Sequence, residues 1–340
     1  MNPDLHHALA WLDAGLDVAV ATVVSTWGSA PRQAGSQMFI NERGEFWGSV
    51  SGGCVESAVI DEASELMKSG ERKLLSYGVT NDMAWEVGLA CGGQVEVLVE
   101  RIRDRSVIEL LADRSEAGMV VRAIDLETGE AELLRPELGA LTGPSPSETG
   151  SAHDELIEAA RAAISEGRSQ VVEHDGNRIF LHLLAPPVRV LIVGAVHIAQ
   201  ALASMVQSAG YEVVVVDPRT AFATADRFPG VELATEWPKE AFDRIGLDRR
   251  TAVVTVTHDP KLDDPAIVAG LESEVFYLGA LGSRRTHAKR VERLQGAGFD
   301  GEAIGRIRAP VGLDIGARTP GEIAASILAE IVRELRAPTA

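Results

Sequence analysis

Two cysteines in a chain of 340 residues cannot build a disulfide framework. Both of them, Cys54 and Cys91, are flanked by a glycine pair, which points to a reducing compartment and to thiols kept for a purpose other than cross-linking. Positive charge is also in short supply: 32 lysines and arginines stand against 50 aspartates and glutamates, a formal net charge of −18. Phosphate backbones demand a basic surface, so nucleic acid is excluded as a non-specific partner, and an anionic ligand has to be held locally by backbone amides and a few arginines. No apolar run reaches the roughly 18 residues of a membrane span. The first residues, with Asp4, His6, His7 and Asp13, lack the pattern of a cleavable signal. The expectation is a cytoplasmic protein with no membrane partner.

What is present concentrates in one stretch, Ser51-Gly52-Gly53-Cys54-Val55-Glu56. The glycine pair predicts a tight turn, and the spacing of Val55, Val59, Ala63 and Leu66 predicts a helix directly after it. Cys54 is thereby placed at a predicted helix N-terminus, where free N–H groups and the helix dipole favour an anion and hence the thiolate. The amides of Gly52 and Gly53 add a candidate anion nest, Arg32 a candidate cation, and Cys91 a candidate second thiol in a similar turn. Glu56 is explained by the dipole alone. A small cysteine buried in a glycine turn is the competing reading of Cys54. Two cysteines without neighbouring histidines do not make a structural zinc site, which wants four ligands.

A hydrophobic content of 46% suffices for packed cores, and the length predicts two or three domains. Residues 1–103 read as a compact α+β domain: a short amphipathic helix, an apolar strand over 18–24, a hairpin over 37–50, the Cys54 helix, and strands at 73–77 and 95–99. Residues 104–187 read as a connecting α+β segment, with a helix near 107–111, strands on either side of Thr128-Gly129, and a helix over 154–165. Pro, Gly, Ser and Thr crowd residues 136–152, which reads as a loop or linker. This segment carries no recognisable chemistry.

Residues 188–340 read as a Rossmann-like, doubly wound parallel sheet, so the fold class is α/β with an N-terminal α+β domain in front. A continuous apolar strand at 188–193 runs into Gly194, a helix follows to about residue 209, and a second strand ends at Asp217. Gly194 and Asp217 are thus placed as in a dinucleotide-binding unit. The glycine fingerprint is damaged: its middle position is Val196, whose side chain obstructs the approach of a pyrophosphate, so NAD(P) is doubtful. Ligands of such sheets bind at the carboxyl ends of strands, and His258, Ser283, Arg284 and Arg285 belong to that edge together with Asp217. Two arginines at a helix start suit a phosphate. Thr319-Pro320-Gly321-Glu322 predicts a capping box, with Ile323, Ile327 and Ile331 on one face of the final helix.

Six stretches taken together resemble the XdhC/CoxI family. They are Thr26-Trp27-Gly28-Ser29-Ala30-Pro31-Arg32, Gly48-Ser49-Val50-Ser51-Gly52-Gly53-Cys54-Val55-Glu56, Leu89-Ala90-Cys91-Gly92-Gly93, Gly279-Ala280-Leu281-Gly282-Ser283-Arg284-Arg285, Pro310-Val311-Gly312-Leu313-Asp314-Ile315-Gly316 and Thr319-Pro320-Gly321-Glu322-Ile323-Ala324. Val196 departs from the family pattern. The resemblance implies an accessory protein of xanthine dehydrogenase-type molybdenum hydroxylases: a chaperone that binds molybdenum cofactor (molybdopterin), supports its sulfuration with a cysteine desulfurase, and delivers it to the apoenzyme. It implies Cys54 as the metal contact, since a thiolate is a soft ligand suited to molybdenum, and a homodimer. No catalytic dyad stands out in the N-terminal part, which favours a non-catalytic role. The alternative is an NAD(P)-dependent oxidoreductase using the Rossmann part.

Overall fold

A computed structural model describes residues 3–28, 32–78, 93–102, 119–135, 140–142 and 151–337. The chain forms two compact units, Met1–Pro186 and Pro187–Pro338. The first begins with α1 (Pro3–Asp13), β1 (Val18–Trp27), β2 (Gln37–Asn41), β3 (Phe46–Gly48), α2 (Glu56–Ser69), β4 (Lys73–Tyr77) and β5 (Gln94–Arg101). Their strands form an antiparallel sheet in the order β3-β2-β1-β5-β4. In its centre, Ala21 of β1 lies opposite Met38 on one side and Val99 on the other. One face of β1 (Ala19, Ala21, Val23) packs under Val59, Ala63 and Leu66 of α2, while Val20 meets Leu5 and Ala8 of α1. Burial on both faces explains why this strand reads as an unbroken apolar run instead of alternating.

A second antiparallel sheet follows in the same unit, built from β6 (Val120–Asp125), β7 (Ala131–Arg135), β8 (Ala140–Thr142), α3 (Ser151–Glu166), β9 (Gln170–His174) and β10 (Asn177–Leu184). Its order is β8-β7-β6-β10-β9. Leu156, Ala160 and Ala163 of α3 cover one face, against Val121, Ala123 and Leu181. The other face presents Ile124 and Phe180 to Val24 and Leu98 of the first sheet. Two ion pairs tie the sheets at this seam: Arg122 grips Glu100 through both terminal nitrogens (2.8 and 2.7 Å), and Arg178 holds Glu96. Residues 136–152, expected as a loop or linker, include strand β8 and the first two residues of α3. Strand β8 pairs residue for residue with β7, so tertiary pairing overrides the local turn-forming composition there. The expected helix near 107–111 lies outside the described residues.

The second unit contains β11 (Arg189–Val193), α4 (His197–Ser208), β12 (Glu212–Val216), β13 (Glu232–Ala234), α5 (Pro238–Ile245), β14 (Thr251–Thr255), α6 (Pro260–Leu271), β15 (Tyr277–Ala280), α7 (Arg284–Gly296), α8 (Gly301–Gly305), β16 (Ile307–Arg308) and α9 (Pro320–Arg336). All six strands are parallel, in the order β13-β12-β11-β14-β15-β16. The winding reverses between β11 and β14, the switch point of a Rossmann sheet. One core lies under α4 and α9 and includes Leu202, Val206, Ile327 and Ile331; the other lies under α5, α6 and α7 and includes Phe242, Ile267 and Leu294. The expected capping box is present at Thr319 and Glu322. Among the described residues no helix is long and apolar enough to cross a membrane.

Candidate functional site

Cys54 sits in the link between β3 and α2. The chain turns through Gly52 and Gly53, with φ of +80° and +117°, values that residues with a Cβ avoid. The helix starts later than the sequence suggests: Val55 is its N-cap and Glu56 its first residue, so Cys54 precedes the cap. Its thiol is free and the residue exposed, which corrects the competing picture of a cysteine buried in the turn.

The acceptor at the centre of this turn is Glu56. Its Oε1 accepts from Ser49 Oγ (2.7 Å) and from the amides of Val50 (3.2 Å), Ser51 (2.9 Å) and Gly52 (3.1 Å). Its Oε2 accepts from Ser51 Oγ (2.5 Å) and from the amides of Gly53 (2.9 Å) and Val55 (3.2 Å). The amides of Gly52 and Gly53, expected to form a nest for a ligand anion, therefore hold the chain's own carboxylate, and the nest reading is corrected on that ground. Burial alone would push the Glu56 carboxyl up, but the hydroxyls of Ser51 and Ser49 and the backbone donors outweigh it and bring it down to about 2. The Cys54 amide donates to Ser51 Oγ (2.9 Å), so the thiol projects from a turn tied down at every step before it.

Arg32 is brought to the same turn: its Nε donates to the Ser49 carbonyl at 3.0 Å, leaving its terminal nitrogens without a partner among the described residues. Cys91 lies outside the described residues. Among those described, no group of three or more His, Cys, Asp and Glu side chains is placed to hold a metal ion. Dipole reasoning hides Glu56. The signal that reveals it is the pair of serines and the glycine pair within seven residues before it, since these supply small donors and a backbone able to curl around one carboxylate.

The Rossmann edge is organised by a second acid. Gly194 has φ of +110°, and a Cβ there would lie 2.2 Å from Thr257 Cγ2, so the turn after β11 passes the segment after β14 with glycine at this position. Asp217 is wholly buried. Its Oδ2 accepts from the Ala195 amide (2.7 Å) and from Arg219 Nη2 (2.7 Å), and its Oδ1 from the Arg219 amide (3.0 Å) and Nε (2.8 Å). Burial raises this carboxyl, but Arg219 and the Ala195 amide win and hold it below its ordinary value. Both oxygens that would meet a ribose in a dinucleotide site are thus engaged by the protein, and Val196 is the N-cap of α4. His258 follows β14 with φ of +64°, a left-handed conformation rare for a non-glycine residue and frequent at functional sites. Ser283 is the N-cap of α7, accepting from the Thr286 amide at 3.2 Å, and Arg284 and Arg285 follow it exposed. A cavity of about 260 Å³ opens beside α6 and α7, lined by His258, Asp263, Arg285, Lys289, Arg290 and Arg293 among others. It gathers His258 and Arg285 but not Gly194, Asp217, Ser283 or Arg284.

The comparisons with known proteins follow this division. Residues 11–78 match the XdhC and CoxI family, and residues 190–331 match the XdhC Rossmann domain. The molybdenum cofactor insertion chaperone PaoD of Escherichia coli (strain K12) is 30% identical over 331 residues, 96% of this chain and 86% of that one. The chain belongs to the XdhC/CoxI family. A second relative, from Bacillus subtilis (strain 168) and described as a probable xanthine dehydrogenase subunit, is 29% identical over 329 residues and is covered to 95% on both sides. A solved structure from Bacillus halodurans, described as a xanthine dehydrogenase, superposes with a TM-score of 0.74 at 25% identity, covering 98% of this chain and 96% of that one. The XdhC/CoxI match spans Arg32 and the Cys54–Glu56 turn, and the Rossmann match spans Gly194 to Arg285.

Proposed function

We propose that this XdhC/CoxI protein carries molybdenum cofactor as cargo and delivers it to a xanthine dehydrogenase-type apoenzyme, with Cys54 Sγ as the contact to the metal. One observation carries the reading: an exposed thiol stands on a turn that Glu56 locks in place. A soft sulfur donor suits molybdenum, and a donor on a fixed turn loses little freedom when it binds. Arg32, held at the Ser49 carbonyl, supplies a guanidinium to an oxo or phosphate group of the cargo. Gly52 and Gly53 serve by their backbone conformation, because their amides already serve Glu56. The names of the two relatives, a cofactor insertion chaperone and a probable part of a xanthine dehydrogenase, support the same role. Sulfuration of the cargo with a cysteine desulfurase, a homodimer and a cytoplasmic setting belong to this reading, as does a second contact from Cys91.

The test is to incubate the full chain with molybdenum cofactor, remove excess, and assay bound molybdopterin for the wild type and for Cys54→Ala. Loading of the wild type with loss in the variant is the expected result. Equal loading removes Cys54 from the site, and a wild type that takes up no pterin ends the cargo reading.

A further inference from the structure

We propose that the cavity beside α6 and α7 in the Rossmann unit is a phosphate-binding site that takes a phosphomonoester or diphosphate group. In a chain with a net charge of −18, α7 carries Arg284, Arg285, Lys289, Arg290 and Arg293 against a single carboxylate, Glu292. Arg284 and Arg285 occupy the first two helical positions, where the dipole repels cations, and the first turn holds no acidic residue. Of the two, Arg285 lines the cavity, and an anion bound there offsets its unfavourable placement.

The second observation is buried. Arg290 is only 2% exposed, and it lines the cavity. Its Nη2 donates to the Leu281 carbonyl at 3.2 Å, while Nε and Nη1 have no hydrogen-bond partner among the described residues. Asp263 lies at 3.7 Å from Nη2, too far for a hydrogen bond. Oδ1 of Asp263 accepts from Thr257 Oγ1 at 2.6 Å, and its Oδ2, the atom facing Arg290, has no hydrogen-bond partner among the described residues. A buried guanidinium held by one hydrogen bond and a long ion pair to Asp263 leaves its positive charge incompletely balanced at the cavity wall, where an anion would balance it.

The carboxylates do not cancel this. Asp264 is taken by Arg293, through both Nε and Nη2. Four cations (Arg285, Lys289, Arg290, Arg293) therefore face two carboxylates around the cavity. Arg285 and Lys289 are exposed, make no ion pair among the described residues, and stand four residues apart on one helix face. His258 and Thr286 add further donors at the wall. At about 260 Å³ the space is smaller than the ~300–1,000 Å³ of sites that enclose a whole cofactor, and fits one or two phosphate groups with the rest of the ligand outside.

This proposal does not rest on the cargo reading. It is tested with the full chain by calorimetric titration of inorganic phosphate, pyrophosphate and ADP. Saturable pyrophosphate binding that weakens with salt is expected. Arg285→Ala and Lys289→Ala should each weaken it about tenfold, the loss of one charge-assisted contact. Lys239→Ala, which removes a charge from α5 instead, should leave it unchanged. Tighter binding of ADP than of pyrophosphate identifies a nucleotide as the source of the phosphates; equal binding identifies a phosphate-only recognition site. Binding that is equal in the wild type and in the Arg285→Ala/Lys289→Ala double variant, or no saturation at millimolar pyrophosphate, overturns the proposal. Both substituted residues are exposed, so folding is preserved. Molybdopterin uptake, measured separately, reports on Cys54 and is not decided by this titration.

Discussion

Each unit holds a glycine turn in place with a carboxylate of its own, but the two do so by different chemistry. Among the described residues Glu56 is satisfied by neutral donors only, five backbone amides and two hydroxyls. Asp217 has one amide from the Gly194 turn and otherwise depends on a guanidinium, Arg219, and on that residue's own amide. In the first unit the turn wraps the acid and the thiol is left outside. In the second the acid braces the turn, while Arg285 and Lys289 of α7 make no ion pair among the described residues. A glycine-rich turn is thus no evidence of a free anion site: what matters is whether the chain has already supplied the anion.

The sharpest way to break the comparison is Glu56→Gln. The amide group of glutamine puts a donor where donors converge, so several buried N–H and O–H groups lose their acceptor. A loss of about 3 kcal/mol of stability in urea unfolding is expected. A loss below about 0.5 kcal/mol would mean that the turn holds itself without the carboxylate. Asp217→Asn should cost less, about 1–2 kcal/mol: one oxygen still accepts from Ala195, and although the new NH2 group meets Arg219 donors, the Arg219 side chain is partly exposed and can turn to water; a cost equal to that of Glu56→Gln would erase the distinction between neutral and ionic bracing.

Acid separates the two more finely. The Glu56 carboxyl is lowered from 4.5 to about 2 in the folded chain. Its stabilisation is therefore fully present above pH 4.5 and is lost as pH falls from there towards 2. Urea midpoints measured between pH 6 and pH 3 should fall for the wild type and stay flatter in Glu56→Gln; parallel curves would assign the acid sensitivity to other groups. The smallest effect belongs to Cys54→Ala. An exposed side chain outside the helix should change stability by less than about 0.5 kcal/mol, so its expected effect on cofactor loading is not a folding effect. A large drop in the unfolding midpoint would show instead that the thiol serves the turn.

Much of this architecture is legible along the chain. The largely apolar strand at β11, Gly194 after it and Asp217 after β12 announce the Rossmann unit because parallel strands buried on both faces are built mostly of apolar residues. The Thr319 capping box is readable because its partners lie three residues apart. The clamp at Glu56 is not readable in the same way. A carboxylate in a first helical turn has a sufficient local explanation, and nothing in the residue order states that seven donors curl back over it. Strand β8 is hidden for a related reason, since only its pairing with β7 makes residues 140–142 a strand.

By itself, then, the amino-acid order determined the fold class, the family, the place of Cys54 beside a glycine turn and the two arginines at the start of α7, because all of these rest on spacing and residue type within short stretches. Only the tertiary structure decided that the Gly52 and Gly53 amides are spent on Glu56, that Asp217 is sealed by Arg219 and Ala195, and that Arg290 is buried with idle donors. Hydrogen-bond partners and burial depend on which segments are brought together. A donor's fate is set by its nearest acceptor in space, which the order of residues does not name.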